Sequence, residues 1–150
     1  MGRRILQQRR GRGTSTWRAN TYAYRLGLSY PKDDGEGVVL KFISVAGHSA
    51  PIAMIKTKRS TFFNVATDGL EVGQKVYVGT NAPVTNGSIV PLHMIPLGTN
   101  VCNVETVAMN GGRLVRSSGL SATVLRKTPE GVTLLLPSRN EKIFDQNSRA

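Results

Sequence analysis

Arg113 and Arg116 are the residues best placed to do chemistry. They lie in the run Gly-Gly-Arg-Leu-Val-Arg-Ser-Ser-Gly, from Gly111 to Gly119. A guanidinium binds phosphate oxygens through two parallel hydrogen bonds. The hydroxyls of Ser117 and Ser118 can add further bonds, and Gly119 lets the chain turn tightly against sugar or phosphate. The run is therefore suited to phosphate, either of a nucleotide or of a nucleic-acid backbone. A helix would place both arginines on one face, but glycines on both sides disfavour it. As a strand, Arg113 to Arg116 sends Arg113 and Val115 one way and Leu114 and Arg116 the other. Arginines on opposite faces cannot clamp one small phosphate, and they suit an extended backbone met at two places. The GxxxxGK[ST] phosphate loop is absent, and so are the GxGxxG fingerprint and any βαβ pattern. The bland alternative for this run is a hairpin with an exposed arginine.

The N-terminal segment is the stronger signal. Residues 1–30 hold Arg3, Arg4, Arg9, Arg10, Arg12, Arg18 and Arg25 and no acid, within a chain of formal net charge +11. Such an imbalance attracts polyanions. The arm uses arginine only, which both binds phosphate and stacks on bases. Trp17, Tyr22, Tyr24 and Tyr30 interleave with these cations, so stacking on unpaired bases is available beside phosphate contacts. The bland alternative is a solvated tail, and seven unbalanced arginines favour nucleic acid over it. An arm this polar cannot bury enough surface to offset its ordering entropy and is expected to be disordered until bound. Lys56, Lys58 and Arg59 form a second basic cluster, at the tip between two candidate strands, where RNA contact and simple solvation are both open.

Other chemistries find little support. His48 and His93 lack metal-ligand spacing, and the lone Cys102 builds neither a disulfide nor a thiolate zinc site. A His–Cys nucleophile would need an orienting group that nothing local supplies. Cys102, in the run Val-Cys-Asn-Val, reads as a small core residue. The acids are scattered, and Asp33, Asp34 and Glu36 sit in a linker where solvation suffices. No enzyme, cofactor, metal or small-molecule substrate is expected. No apolar run approaches the roughly eighteen residues of a membrane span. The basic N-terminus lacks an apolar core for secretion. An arginine-rich transit peptide is disfavoured because Gly11 and Gly13 break an amphipathic helix.

The elements that must position these groups are strands. After a turn at Tyr30 to Gly35, short apolar runs alternate with Gly and Pro signals, and no helical period is sustained. The expected strands are Val38 to Val45, Ile52 to Lys56, Ser60 to Val65, Gln74 to Val78, Val101 to Val107, Arg113 to Arg116, Ala122 to Lys127, Val132 to Leu136 and Lys142 to Phe144. The first is expected to be mostly buried on both sides. Pro83, Pro91 and Pro96 make residues 79–99 a long connection with at most a short strand near Ser88 to Val90. The fold class is all-β. Residues 1–36 form a basic arm, and 37–90 and 91–150 form two small barrel-like units.

These motifs together resemble a known family. Ile-Pro-Leu-Gly-Thr-Asn-Val-Cys-Asn-Val-Glu at 95–105, followed by the run from Asn110 to Val124, looks like the L-two family of large-subunit ribosomal proteins. The likeness extends to Asp68–Gly79, Asn86–Pro96 and Val132–Phe144, and so covers nearly the whole chain. It is most specific over 95–123. The arm's Gly-Arg-Gly-Thr-Ser-Thr-Trp-Arg-Ala is closer to archaeal and eukaryotic members. The resemblance implies an oligonucleotide-binding-type barrel followed by an SH3-like barrel, with a basic N-terminal extension. It implies ribosomal RNA and other large-subunit proteins as partners, a cytoplasmic ribosome as location, and a non-catalytic role in subunit assembly and association near the peptidyl transferase region. RNA contacts carry over to Arg113, Arg116, Ser117, Ser118 and Gly119, and more loosely to the arm. An RNA-binding module acting outside the ribosome is the rival reading.

The chain departs from the family in three places. Ala108-Met109-Asn110 stands where the family often has a Pro-Gly turn, and Pro137-Ser138-Arg139 where it often has Pro-Ser-Gly. Family members also continue into a glycine-rich, histidine-bearing extension, for which no residue here can stand.

Overall fold

Glycine, proline and short polar turns cut the chain into extended segments, and among the described residues eight of these pair as strands. The computed structural model describes residues 5, 7, 11–17, 26–45 and 47–150. The strands are β1 (Gly35–Ile43), β2 (Ile52–Thr57), β3 (Thr61–Val65), β4 (Lys75–Val78), β5 (Asn100–Val101), β6 (Ala122–Thr128), β7 (Gly131–Leu135) and β8 (Glu141–Phe144). They form two four-stranded antiparallel sheets, ordered β3-β2-β1-β4 and β5-β6-β7-β8. The all-β expectation holds at that level.

The first sheet turns its inner residues onto a core of Val39, Ala53, Ile55, Phe62, Val76 and Val78, closed by Tyr30 and Ile89. The second gathers Val101, Ala122, Val124, Val132, Leu134 and Phe144 with Val90, Leu92 and Ile95. Neighbours in sequence, Ile89 and Val90 thus serve different cores. Each fully buried aliphatic chain contributes roughly 1.5–3 kcal/mol. The final segment lies along the connection: Val90 and Ala150 exchange backbone hydrogen bonds of 3.1 Å, and Leu92 N–H donates to Ser148 O at 2.9 Å.

Three expectations need correction. β1 is not buried on both sides. Val38, Leu40 and Phe42, which alternate along one face of the strand, are exposed, while Gly37 and Val39 on the other face are buried, so only one face of β1 packs on the core. The strand expected at Val101 to Val107 stops after Val101, since Asn103 takes a φ of 51°, outside extended backbone. Arg113 to Arg116 is not a strand. Leu114 makes a single bridge to Val104, and Val115 turns the chain with a φ of 57°.

The long connection is built as expected, with one parallel bridge from Ile89 to Val78. It also carries a 3-10 turn at Leu92–Met94. Within the arm, Ser15–Trp17 forms another such turn, whereas most of the segment expected to be disordered lies outside the described residues.

Candidate nucleic-acid interface

The run from Gly111 to Gly119 is a loop moulded onto Asn103 and Val104. Arg113 and Leu114 N–H both donate to Val104 O, at 2.9 and 3.0 Å, and Asn103 N–H donates to Val115 O at 2.8 Å. Gly112 is required by close approach: a Cβ there would overlap the carbonyl and amide oxygens of Asn103. With strand alternation gone, the argument that Arg113 and Arg116 cannot serve one phosphate falls with it. Arg113 is exposed and Arg116 half-buried. Burial lowers the tendency of the Arg116 guanidinium to hold its proton, and the positive charge of Arg113 lowers it further. The two cations therefore sense one another, and an anion beside them would relieve that repulsion.

A buried polar junction holds this loop in place. Tyr30 Oη donates to Asn103 O at 2.6 Å, and Asn103 Nδ2 donates to Asn64 Oδ1 at 2.7 Å. Arg116 Nε donates to Asn103 Oδ1 at 2.8 Å, while its Nη2 points at Leu28 O at 3.5 Å. Burial pushes the Tyr30 hydroxyl far up, with added push from Cys102 and Glu105, so it remains a neutral donor.

Next to it lies an ion pair. Glu105 is fully buried, and its Oε1 accepts from Arg149 Nη2 at 2.9 Å and from Gly111 N–H at 2.8 Å. Glu105 Oε2 accepts from Arg149 N–H at 2.9 Å and from Met109 N–H at 3.2 Å. Burial alone would raise this carboxyl, but the hydrogen bonds and charge of Arg149 outweigh it and hold the group below the usual range. Arg149 also donates from Nη1 to Pro31 O at 2.8 Å and lies 5.3 Å from the centre of the Tyr30 ring. The chain leading out of the arm, Leu28 to Pro31, is thus fastened beside the arginine loop.

Sequence reasoning missed Asn64, Asn103, Glu105 and Arg149. A glutamate ending the apolar run Val-Cys-Asn-Val-Glu was the available signal, and its partner lies 44 residues away.

The remaining expected residues are spread more widely. Ser117, Ser118 and Gly119 are exposed, and Ser118 N–H donates to Ser49 Oγ at 3.1 Å. Gly119 has a φ of 73° and open space where a side chain would stand. Lys56, Lys58 and Arg59 are exposed at the β2–β3 turn, where Arg59 lies 3.6 Å from Asp33. Arg12 and Trp17 are exposed. Arg3, Arg4, Arg9, Arg10, Arg18 and Arg25 lie outside the described residues. A cleft of about 980 Å³ runs between the two halves, with Tyr30, Phe42, Asn64, Val115, Ser117 and Leu120 in its wall.

Catalytic alternatives gain nothing. His93 Nδ1 is engaged by Gln146 O at 3.0 Å, and burial pushes the Cys102 thiol up, away from the nucleophilic thiolate. Cys102 is half-buried at the cleft wall rather than deep in the core. Among the described residues no cluster could hold a metal ion, and no helix is long and apolar enough to cross a membrane.

Fold and site define a class: an all-β chain of two antiparallel sheets that presents arginines on a glycine-framed loop. Comparison with known proteins narrows this. Residues 85–150 match the family described as Ribosomal Proteins L2, C-terminal domain. Over 99% of its length the chain is 38% identical to the large ribosomal subunit protein uL2 of Pyrobaculum calidifontis. Over its whole length it is 36% identical to the proteins of that name from Korarchaeum cryptofilum and Archaeoglobus fulgidus. Along its whole length the chain is similar to members of the uL2 family. It spans 62%, 63% and 65% of the length of these three archaeal relatives.

Proposed function

We propose that the chain is a structural constituent of the large ribosomal subunit that binds ribosomal RNA and contacts other large-subunit proteins. It carries out no reaction of its own. It supports subunit assembly and association near the peptidyl transferase region of a cytoplasmic ribosome. One observation carries this reading: whole-length similarity to proteins named for the large subunit, with Arg113 and Arg116 set beside the root of an arginine arm. On this reading residues 1–36 are the RNA-threading extension. Residues 37–90 close as an oligonucleotide-binding-type barrel and 91–150 as an SH3-like barrel. Phosphates meet the arm arginines, the Lys56–Lys58–Arg59 tip, and the loop of Arg113, Arg116, Ser117, Ser118 and Gly119.

The test is salt dependence. Removing residues 1–25 keeps Leu28, Tyr30 and Pro31 and deletes all seven arm arginines. It should reduce the slope of log affinity for large-subunit RNA against log salt by up to roughly 5, at about 0.7 per phosphate neutralised. An unchanged slope would remove the arm from the interface. Co-sedimentation with large subunits after a high-salt wash separates ribosomal residence from a role elsewhere: an assembled subunit protein stays bound.

A further inference from the structure

We propose that Asn103 is the positioning residue for Arg116, fixing its guanidinium for an RNA phosphate. This rests on the reading that Arg116 contacts RNA. Every polar group of Asn103 is engaged. Its N–H donates to Val115 O at 2.8 Å and its carbonyl accepts from Tyr30 Oη at 2.6 Å. Its side chain accepts from Arg116 Nε at 2.8 Å and donates to Asn64 Oδ1 at 2.7 Å. Asn64 Oδ1 also accepts from Val65 N–H at 2.9 Å, which fixes the orientation of both amides. The result is a side chain with no freedom to turn, aimed at one nitrogen of one arginine.

The choice of nitrogen matters. A guanidinium has five N–H donors. Held at Nε, it is gripped by its inner edge. Apart from the long approach of Nη2 to Leu28 O, the outer donors have no partner among the described residues. That edge is the one that pairs two-for-two with phosphate, and the Arg113 charge lies close enough to be felt there. Holding a flexible side chain in its bound pose before RNA arrives removes an ordering cost that would otherwise weaken binding by roughly tenfold.

The residue type follows from two independent demands. The backbone φ of 51° is left-handed, which asparagine tolerates better than most residues. The side chain must accept on one side and donate on the other, which only an amide of this length does here. Glycine would keep the backbone and lose the grip. Aspartate would keep the backbone and the acceptor for Nε, but would set a carboxylate oxygen against Asn64 Oδ1, acceptor facing acceptor.

A double-mutant cycle in the full chain tests this, using large-subunit ribosomal RNA from the cells that make the protein. Asn103→Gly should weaken RNA binding about tenfold when Arg116 is present and less than about twofold in an Arg116→Ala background. Asn103→Asp, which keeps the acceptor for Arg116 Nε, should lose less RNA affinity than Asn103→Gly. The Arg116 Nε–H signal in NMR should exchange slowly in the parent and the aspartate variant, and fast in the glycine variant. Asn103→Ser replaces the glycine variant in the cycle if the latter does not fold. An equal loss with and without Arg116 would make Asn103 a scaffold residue and overturn the proposal, leaving the RNA role of Arg116 intact. If Arg116→Ala alone leaves RNA affinity unchanged, the RNA role falls and the proposal falls with it.

Discussion

The two sheets have equal strand numbers and the same antiparallel pairing, yet they are completed differently. The first is finished mostly with hydrocarbon, and Asn64 and the Tyr30 hydroxyl are the polar groups it buries toward the junction. The second buries Asn103, Glu105, Thr133, Ser148 and Arg149 in and around its core. Hydrocarbon cores accept substitutions of similar volume. A buried polar junction demands particular atoms, because each unmatched donor or acceptor costs free energy. The cations follow this division. Lys56, Lys58 and Arg59 sit on an exposed turn of the first sheet, located by their hairpin and a solvent-exposed Arg59–Asp33 pair. Arg116 and Arg149 are held atom by atom beside the second. Where a cation must occupy one place, this chain fixes it with buried polarity.

The largest effect expected from that contrast is at Arg149. Arg149→Met leaves Glu105 buried without its partner and should cost about 3–5 kcal/mol in urea unfolding. Adding Glu105→Gln to that variant should recover part of the loss, since it removes the stranded charge and keeps an amide oxygen to accept from the buried backbone N–H groups. A cost below about 1 kcal/mol for the single change would erase the distinction between the sheets. The same pair sets an acid dependence. The Glu105 carboxyl is held below its ordinary range in the folded chain, so the unfolded chain takes up its proton at a higher pH. Its contribution is present above the ordinary range and is lost as pH falls below roughly 4. In Glu105→Gln, unfolding measured from pH 7 to pH 3 should show that part of the decline removed.

Gly112→Ala comes next. The new methyl would overlap Asn103, and a loss of about 3 kcal/mol is expected. The matching change in the first sheet is Gly35→Ala, where nothing stands within 4 Å. It should shift stability by less than about 0.5 kcal/mol, because the added methyl meets no neighbour. Equal effects at the two sites would contradict the contrast.

Arg139→Gly should give a small effect of opposite sign. Arg139 has a φ of 66°, in the turn where the family often has glycine. Relieving that backbone should raise stability by up to about 1 kcal/mol in thermal unfolding, since left-handed geometry costs about that much with a side chain. Met109, at the other altered turn, has a φ of 65°, so both departures from the family pattern fall where side chains are least comfortable.

Much of the strand pattern was legible, because turn chemistry is local. Glycine, proline and the Lys58–Ser60 turn bracket β2 and β3, and Pro129-Glu130 separates β6 from β7, so their limits follow from neighbouring residues. What escaped depends on distance. The bulge in β1 arises from pairing with β2 and leaves no mark in the alternation of Val38 to Ser44. The early stop of β5 follows from Asn103, whose backbone is set by Tyr30, Asn64 and Arg116 together. The loop arginines were legible as phosphate ligands by type. Their placement was not, since it depends on Val104 and Asn103 rather than on strand period. Glu105 and Arg149 looked like ordinary charges because nothing local to either one indicates burial.

The fastening of the arm's root also has a consequence in time. The Tyr30–Asn103 and Arg149–Pro31 hydrogen bonds join residues 73 and 118 positions apart. Closing such loops costs entropy before the contacts return it, so these bonds should form after the local hairpins are in place. Tyr30 then reports the end of folding rather than its start. A chain whose sheets are formed but whose junction is open would carry its arginines at full charge and without direction. The bond to Pro31 ties the root of the arm to the buried Glu105–Arg149 pair.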